Sequence, residues 1–329
     1  MSLLARNAEH FFWLARYIER TASIARLIEI HSAHDRGQDN DQSWRWLVAL
    51  YSDDTLFRKL HTDYSMKSVV GFYVSNVNNP GSIAAALKAA RENARVLRAV
   101  IPTELWVQIN GFYNRFQDLA EEELDLIHLS RTCGMIKNGC YAQLGVVEST
   151  LYHDEGELFF RLGQMIERAD QTSRLLDVKF AQLTTSSAAK PQVADATFWA
   201  LILRSAGAYQ SFRRLERQSA EPGSVARFLL LNPNHPRSVV CCVMEMQRVL
   251  NMLRAGYGLR QASHGLEMLD AVLIGLQAAS EDTGMVTRLH AINDWLQLRL
   301  GDITNDAASR FFGVVPPQQQ SQSQSQPAA

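Results

Sequence analysis

Apolar residues recur three and four positions apart along most of this chain, and alternating apolar and polar runs are scarce. That periodicity predicts one helix after another, because residues at those spacings share a helix face. Helices are expected near residues 4–34, 42–60, 65–75, 80–100, 103–118, 121–152, 156–184, 194–217, 222–231, 236–262, 264–279 and 283–308. With only 18 glycines and 9 prolines among 329 residues, few breaks are available, which suits long helices and short connections. The expected fold class is all-α: a large helical bundle forming a single compact unit over residues 1–312. The segment GVVPPQQQSQSQSQPAA, residues 313–329, is low in complexity and has nothing to bury, so a disordered tail is expected there.

The helical pattern also repeats. IERTASIARLIEI, Ile18 to Ile30, returns as IERADQTSRLLDV, Ile166 to Val178, at an offset of 148 residues. Trp46 and Leu50 return as Trp199 and Leu203 at an offset of 153, and NVNNPGSI from Asn76 returns as NPNHPRSV from Asn232 at 156. Three echoes in the same order predict two homologous halves, 1–150 and 151–312, packed as one bundle about a pseudo-twofold axis.

Projected at about 100° per residue, the first repeated helix is apolar on both sides. Leu14, Tyr17, Ile18, Ile24 and Ile28 form one face, and Phe12, Leu27 and Ile30 lie opposite. Such a helix is expected to be internal. Glu19 and Arg26 point within about 20° of each other, with Arg16 and Arg20 nearby, and Glu167 and Arg174 have the same relation beside Arg168. Buried guanidinium groups keep their charge and require partners. Two readings stay open: the glutamates bridge neighbouring helices and fix their register, or the two Glu/Arg sets line a polar cleft that holds a ligand or peptide.

The repeated NP blocks have the composition of helix starts: Asn78 or Asn79 suits a cap, Pro80 and Pro236 the first helical position, and Ser82 and Ser238 the first turn. An anion site is the alternative, strengthened by Arg237, which stands where the first copy has Gly81. Lys88, Arg91, Arg95 and Arg98 form a basic strip on one helix face with no aromatic residues interleaved, which reads as a solvated face or a contact for an acidic partner.

Charge narrows the function classes. Lys plus Arg (33) and Asp plus Glu (34) nearly cancel, so no global field draws the chain to nucleic acid or to a membrane surface. No stretch reaches 18 apolar residues, and no secretory signal is evident, so a reducing, cytoplasmic setting with four free thiols is expected. Phosphate-loop, dinucleotide, nucleophile-elbow and zinc-protease motifs are absent. The repeated glutamate is followed by Arg, so a di-iron set is not supported, and His31, His34 and Asp35 are a weak zinc candidate without a counterpart in the second copy. No metal or cofactor is assigned. A general-base role for Glu19 or Glu167, with Arg26 or Arg174 orienting a carboxylate or phosphate, is the enzymatic alternative.

The segments LARNAEHFFWLARYIERTASIARLIE, RENARVLRAVIPTELWVQIN, LGQMIERADQTSRLLDVKF and FLLLNPNHPRSV together resemble the bacterial alpha-E domain family, over nearly the whole chain to about residue 312. The resemblance implies an all-helical fold. It also implies partners: a circularly permuted ATP-grasp protein and a transglutaminase-like protein, in peptide synthesis or modification. The charged positions it carries over are Arg16, Glu19, Arg20 and Arg26, then Arg91, Glu92 and Arg95, then Glu167, Arg168 and Arg174. Thr21-Ala22-Ser23 replaces the more polar stretch usual in the family, so the first copy is reduced.

Overall fold

A computed structural model describes residues 3–34, 44–185, 191–216, 220–281 and 285–313, without the side chains of 121, 178–185, 191–197 and 281. Residues 314–329 of the expected tail, and Asp35 of the zinc candidate, lie outside the described residues. Among those described, every regular element is helical, as the periodicity predicts.

The chain divides into two compact units, Met1–Gln164 with Phe311–Ala329, and Met165–Arg310. The first is built on α1 (Ala5–His34), which lies along α5 (Ile83–Val96) and α7 (Leu129–Thr150), while α6 (Thr103–Gln117) packs on both α5 and α7. The short helices α2 (Arg45–Leu50), α3 (Asp54–Leu60) and α4 (Met66–Val74) join one another, and α4 also meets α5. Helix α1 is buried almost continuously from Phe11 to Ile28, which follows from apolar residues on opposite sides of the cylinder. Helix α8 (Glu155–Thr185) begins in this unit and approaches α1 closely. A Cβ built on Gly163 would stand 2.2 Å from the Phe12 carbonyl oxygen, so only glycine allows this approach. Phe311 and Phe312, at the end of a π-helical turn over Ala308–Phe312, complete the unit: Phe312 packs on Phe12 and Phe159, and Phe311 on Phe159.

The second unit holds the rest of α8 with α9 (Pro191–Ser205), α10 (Tyr209–Glu216), α11 (Pro222–Leu231), α12 (Val239–Gly256), α13 (Ala262–Glu281) and α14 (Leu289–Ala307). Helix α13 packs between α12 and α14, and α11 meets α9, α12 and α13.

Several boundaries differ from the expectation for local reasons. The helix expected over 42–60 breaks at Ser52, whose φ of 57° is left-handed and cannot continue a right-handed helix. That expected over 194–217 breaks at Gly207, φ 66°, into α9 and α10. Residues 121–124 form a 3₁₀ turn, and Asp125 is extended, so α7 starts only at Leu129. At both NP blocks the serine is the N-cap: Ser82 Oγ accepts from the Ala85 amide at 3.1 Å, and Ser238 Oγ from the Cys241 amide at 3.2 Å. The prolines lie before the helix, outside its first turn. The asparagines instead shape the preceding turn, Asn76 Oδ1 accepting from the Asn78 amide and Asn232 Oδ1 from the Asn234 amide, both at 2.9 Å.

Candidate functional site

The long repeated helices place charge inside each unit. In the first, Arg16 and Glu19 are fully buried, and Arg20 and Arg26 keep less than a tenth of their exposure. The Arg16 guanidinium lies 4.9 Å from the Trp13 ring centroid and 5.7 Å from that of Phe12, one turn back along α1. Gln164 donates from Nε2 to Glu19 Oε2 at 3.4 Å, and Arg26 donates to the Tyr141 hydroxyl of α7. A turn further along, Lys137 of α7 pairs with Glu29. On the facing helices α1 and α7 three buried polar side chains carry atoms with no hydrogen-bond partner: the Thr21 and Ser23 hydroxyls and both amide atoms of Gln143 on α7. Their neighbour Cys140 has its pKa pushed up by burial and, secondarily, by the Glu19 carboxylate, with Arg26 opposing. Burial, aided by Glu29, pushes the Cys133 thiol up to about 12. Both thiols are therefore protonated and unreactive at neutral pH. All four cysteines are free.

In the second unit Glu167 is fully buried and accepts from Gln171 Nε2 at 3.1 Å. Arg174 donates from Nε to Asp170 at 2.8 Å; Asp170 is itself buried, and the pair is one turn apart on α8. Arg168 reaches across to the NP block, donating to the Pro236 carbonyl at 3.4 Å, and the Thr172 hydroxyl donates to the Arg237 carbonyl at 2.9 Å. The two repeated motifs thus meet in this unit, with the ER helix clasping the loop that starts α12.

Arg91, Glu92 and Arg95 lie elsewhere, on the surface of α5. Glu92 accepts from Arg91 at 3.1 Å and from Arg95 at 2.8 Å, and Arg91 also donates to Asn110 of α6 at 2.7 Å. The strip does have aromatic neighbours, which corrects the sequence reading. Trp106 of α6 lies 5.8 Å from the Arg91 guanidinium and 5.4 Å from that of Arg98, and Tyr113 lies 5.2 Å from Arg91. The sequence could not show this, because the rings come from the next helix.

The family follows from these ER helices. The chain carries Glu-Arg at residues 19–20 and 167–168: the first pair is buried with Arg16 and Arg26, and in the second Glu167 is buried with Asp170 while Arg168 and Arg174 are partly exposed. A family model described as a predicted alpha-helical domain with a conserved ER motif matches residues 3–312. The chain belongs to the Alpha-E family. No curated protein and no solved structure matches it.

Three polar residues of this Alpha-E domain were not evident as candidates. Asp170 stands four residues before Arg174, an ion-pair spacing on a helix. Gln143 and Tyr141 of α7 gave no such signal, since glutamine and tyrosine on an amphipathic helix usually face outward. The zinc candidate His31 is instead packed edge-on to Trp44 and Trp46, at 4.5 and 4.9 Å, and accepts from the Trp46 indole at 3.1 Å.

One ion-pair cluster holds a histidine whose pKa is raised by its partner. His290 Nδ1 lies 2.5 Å from Asp177, and Nε2 lies 3.5 Å from Asp294. Asp177 raises the His290 pKa, by hydrogen bonding first and by charge second. Among the described residues, these three groups place one ligand atom each within 4.8 Å of one another, but His290 and Asp294 are exposed and already engaged in the ion pair. Because the folded pKa lies above the unfolded one, the cluster stabilises below the unfolded value, and this contribution is lost as pH rises through the folded value. The melting temperatures of the wild type and His290→Asn are therefore expected to differ more at about pH 6 than at about pH 8.5; an equal gap at both would show that the histidine contributes only packing.

Proposed function

We propose that this Alpha-E domain is a cytoplasmic helical accessory subunit that acts with an ATP-grasp-type peptide ligase or a transglutaminase-like protein in peptide synthesis or modification. The single observation that carries a docking role is the α5–α6 face. Lys88, Arg95 and Arg98 are exposed there, with Arg91 half-buried, around the Trp106 and Tyr113 rings. Arginine and aromatic side chains are the residue types enriched at protein interfaces and their hot spots, and the positive strip suits an acidic surface on the partner. The choice of partner rests on what the resemblance to the family implies. The docking role requires no cofactor in this chain.

The test is a pull-down of the tagged full chain from its native cells, compared with Lys88→Glu and Arg98→Glu, whose exposed sites leave the fold unchanged. Recovery of an ATP-grasp or transglutaminase-like protein by the wild type and its loss from both variants is the expected result. If the wild type recovers neither under gentle conditions, the accessory role fails; if the variants recover it equally, the docking face lies elsewhere.

A second reading has its own observation. The unpartnered Ser23 hydroxyl, on the Glu19 side of α1, and the unpartnered Gln143 amide on the neighbouring α7 are the kind of polar atoms that a pocket for a peptide or small molecule uses, and there Glu19 would act as base or anchor. Among the described residues no helix is long and apolar enough to cross a membrane.

A further inference from the structure

The two NP blocks have similar backbone turns and different chemistry. At the offset of 156 residues, Asn79 corresponds to His235 and Gly81 to Arg237. Asn79 is buried and fully used: its Nδ2 donates to the Phe72 carbonyl at 3.1 Å, and its Oδ1 accepts from the Gly81 amide at 2.8 Å. His235 is also buried, with 5 % of its surface exposed, yet neither ring nitrogen has a hydrogen-bond partner. Its backbone is held firmly, the amide donating to Asn232 Oδ1 at 3.0 Å and the carbonyl accepting from the Ser238 amide at 2.9 Å. The ring rests 5.2 Å from Phe228 of α11.

Two cations act on that imidazole. Burial first, then Arg237 and Arg168, lower its pKa to about 4, so the ring is neutral at pH 7. Arg168 comes from the ER motif on α8 and is anchored beside the ring through the Pro236 carbonyl. Arg237 is fixed through its own carbonyl by Thr172. Just beyond stands the start of α12, an 18-residue helix whose first-turn amides and dipole favour negative charge. A buried imidazole with both ring nitrogens unpartnered thus lies in the field of two guanidinium groups, three residues before the cap of a helix; the cations and the first-turn amides favour an anion, and the neutral imidazole can donate one N–H to it.

We propose that the start of α12 binds a small oxyanion of the phosphate class, held by His235, Arg168 and Arg237 and by the first-turn amides of the helix. The ER arginine of the second copy then positions the NP loop and contributes charge to the ligand. Asn79 and Gly81 make the first copy unable to do the same, so one oxyanion binds per chain. This site is independent of the α5–α6 docking face.

The test uses the full chain and inorganic phosphate. Calorimetry is combined with imidazole nitrogen NMR, with sodium chloride of equal ionic strength as the control. His235→Asn and Arg237→Gly install the residues of the first block, and the glycine keeps the carbonyl that Thr172 uses. The expected result is saturable binding that shifts the His235 ring resonances and weakens roughly tenfold or more in each variant, with each variant first shown by circular dichroism to keep the wild-type helical fold. Absence of heat and of resonance shifts at about 50 mM phosphate, far above a millimolar Kd, would overturn the proposal. So would equal binding by the wild type and Arg237→Gly, or the same shifts with chloride.

Discussion

Gly163→Ala is expected to destabilise the first unit more than any other single methyl group added to α8. The new Cβ would meet the Phe12 carbonyl oxygen at 2.2 Å and the Phe12 Cα at 3.1 Å. Both are backbone atoms of a fully buried turn of α1, so no side chain can rotate away, and the two helices must separate. Overpacking of a core costs about 1–3 kcal/mol where side chains absorb it; a backbone collision belongs at the upper end or beyond. Gly134→Ala is the matched control. Nothing lies within 4 Å of a Cβ at that position on α7, so the higher helix propensity of alanine is expected to stabilise by about 1 kcal/mol. Chemical denaturation of both variants checks the pair, and an equal effect of the two would mean that α1 and α8 do not approach as described.

Glu19→Gln carries the second large effect. The residue is fully buried, as is Arg16, and Arg26 is nearly so. Glutamine keeps the size and can still meet Gln164, but it removes the negative charge that offsets these guanidinium groups. An uncompensated buried charge costs about 3–5 kcal/mol, because arginine does not shed its proton. The expected result is a large fall in melting temperature for Glu19→Gln, with a smaller fall for Arg95→Gln, whose side chain is 60 % exposed. This result would assign Glu19 to the framework of the helix pair. Unchanged melting with loss of partner or ligand binding would assign it to a working pocket.

Helix type and order were legible because apolar spacing on long helices is a strong signal, and the ER repeats stood out because charge inside an apolar helix violates the pattern around it. The unseen features depend on contacts or angles that spacing does not encode. Serine at position 52 gives no warning of a left-handed φ, as glycine at 207 does. Trp106 belongs to a different helix from the arginines it faces. The serine caps were hidden by the asparagine and proline before them, each a good helix-start residue by composition. Arg91, Glu92 and Arg95 shared a motif stretch with core residues, yet α5 turns them outward while α1 turns Arg16 and Glu19 inward. Charge type was readable from the chain; whether a charge is buried depended on which neighbours cover the helix.

The aromatic pair in the π-helical turn after α14 imposes an order on synthesis. Phe311 and Phe312 pack on Phe159 and Phe12, residues made some 150 and 300 positions earlier. A chain leaving the ribosome can gather α1 and α5 to α7 early, but those ring faces stay uncovered until residue 312 has emerged, after all of Met165–Arg310. The second unit is therefore an insertion within the first, and the first closes last. The amino-terminal core is sealed only once Phe311 and Phe312 have emerged.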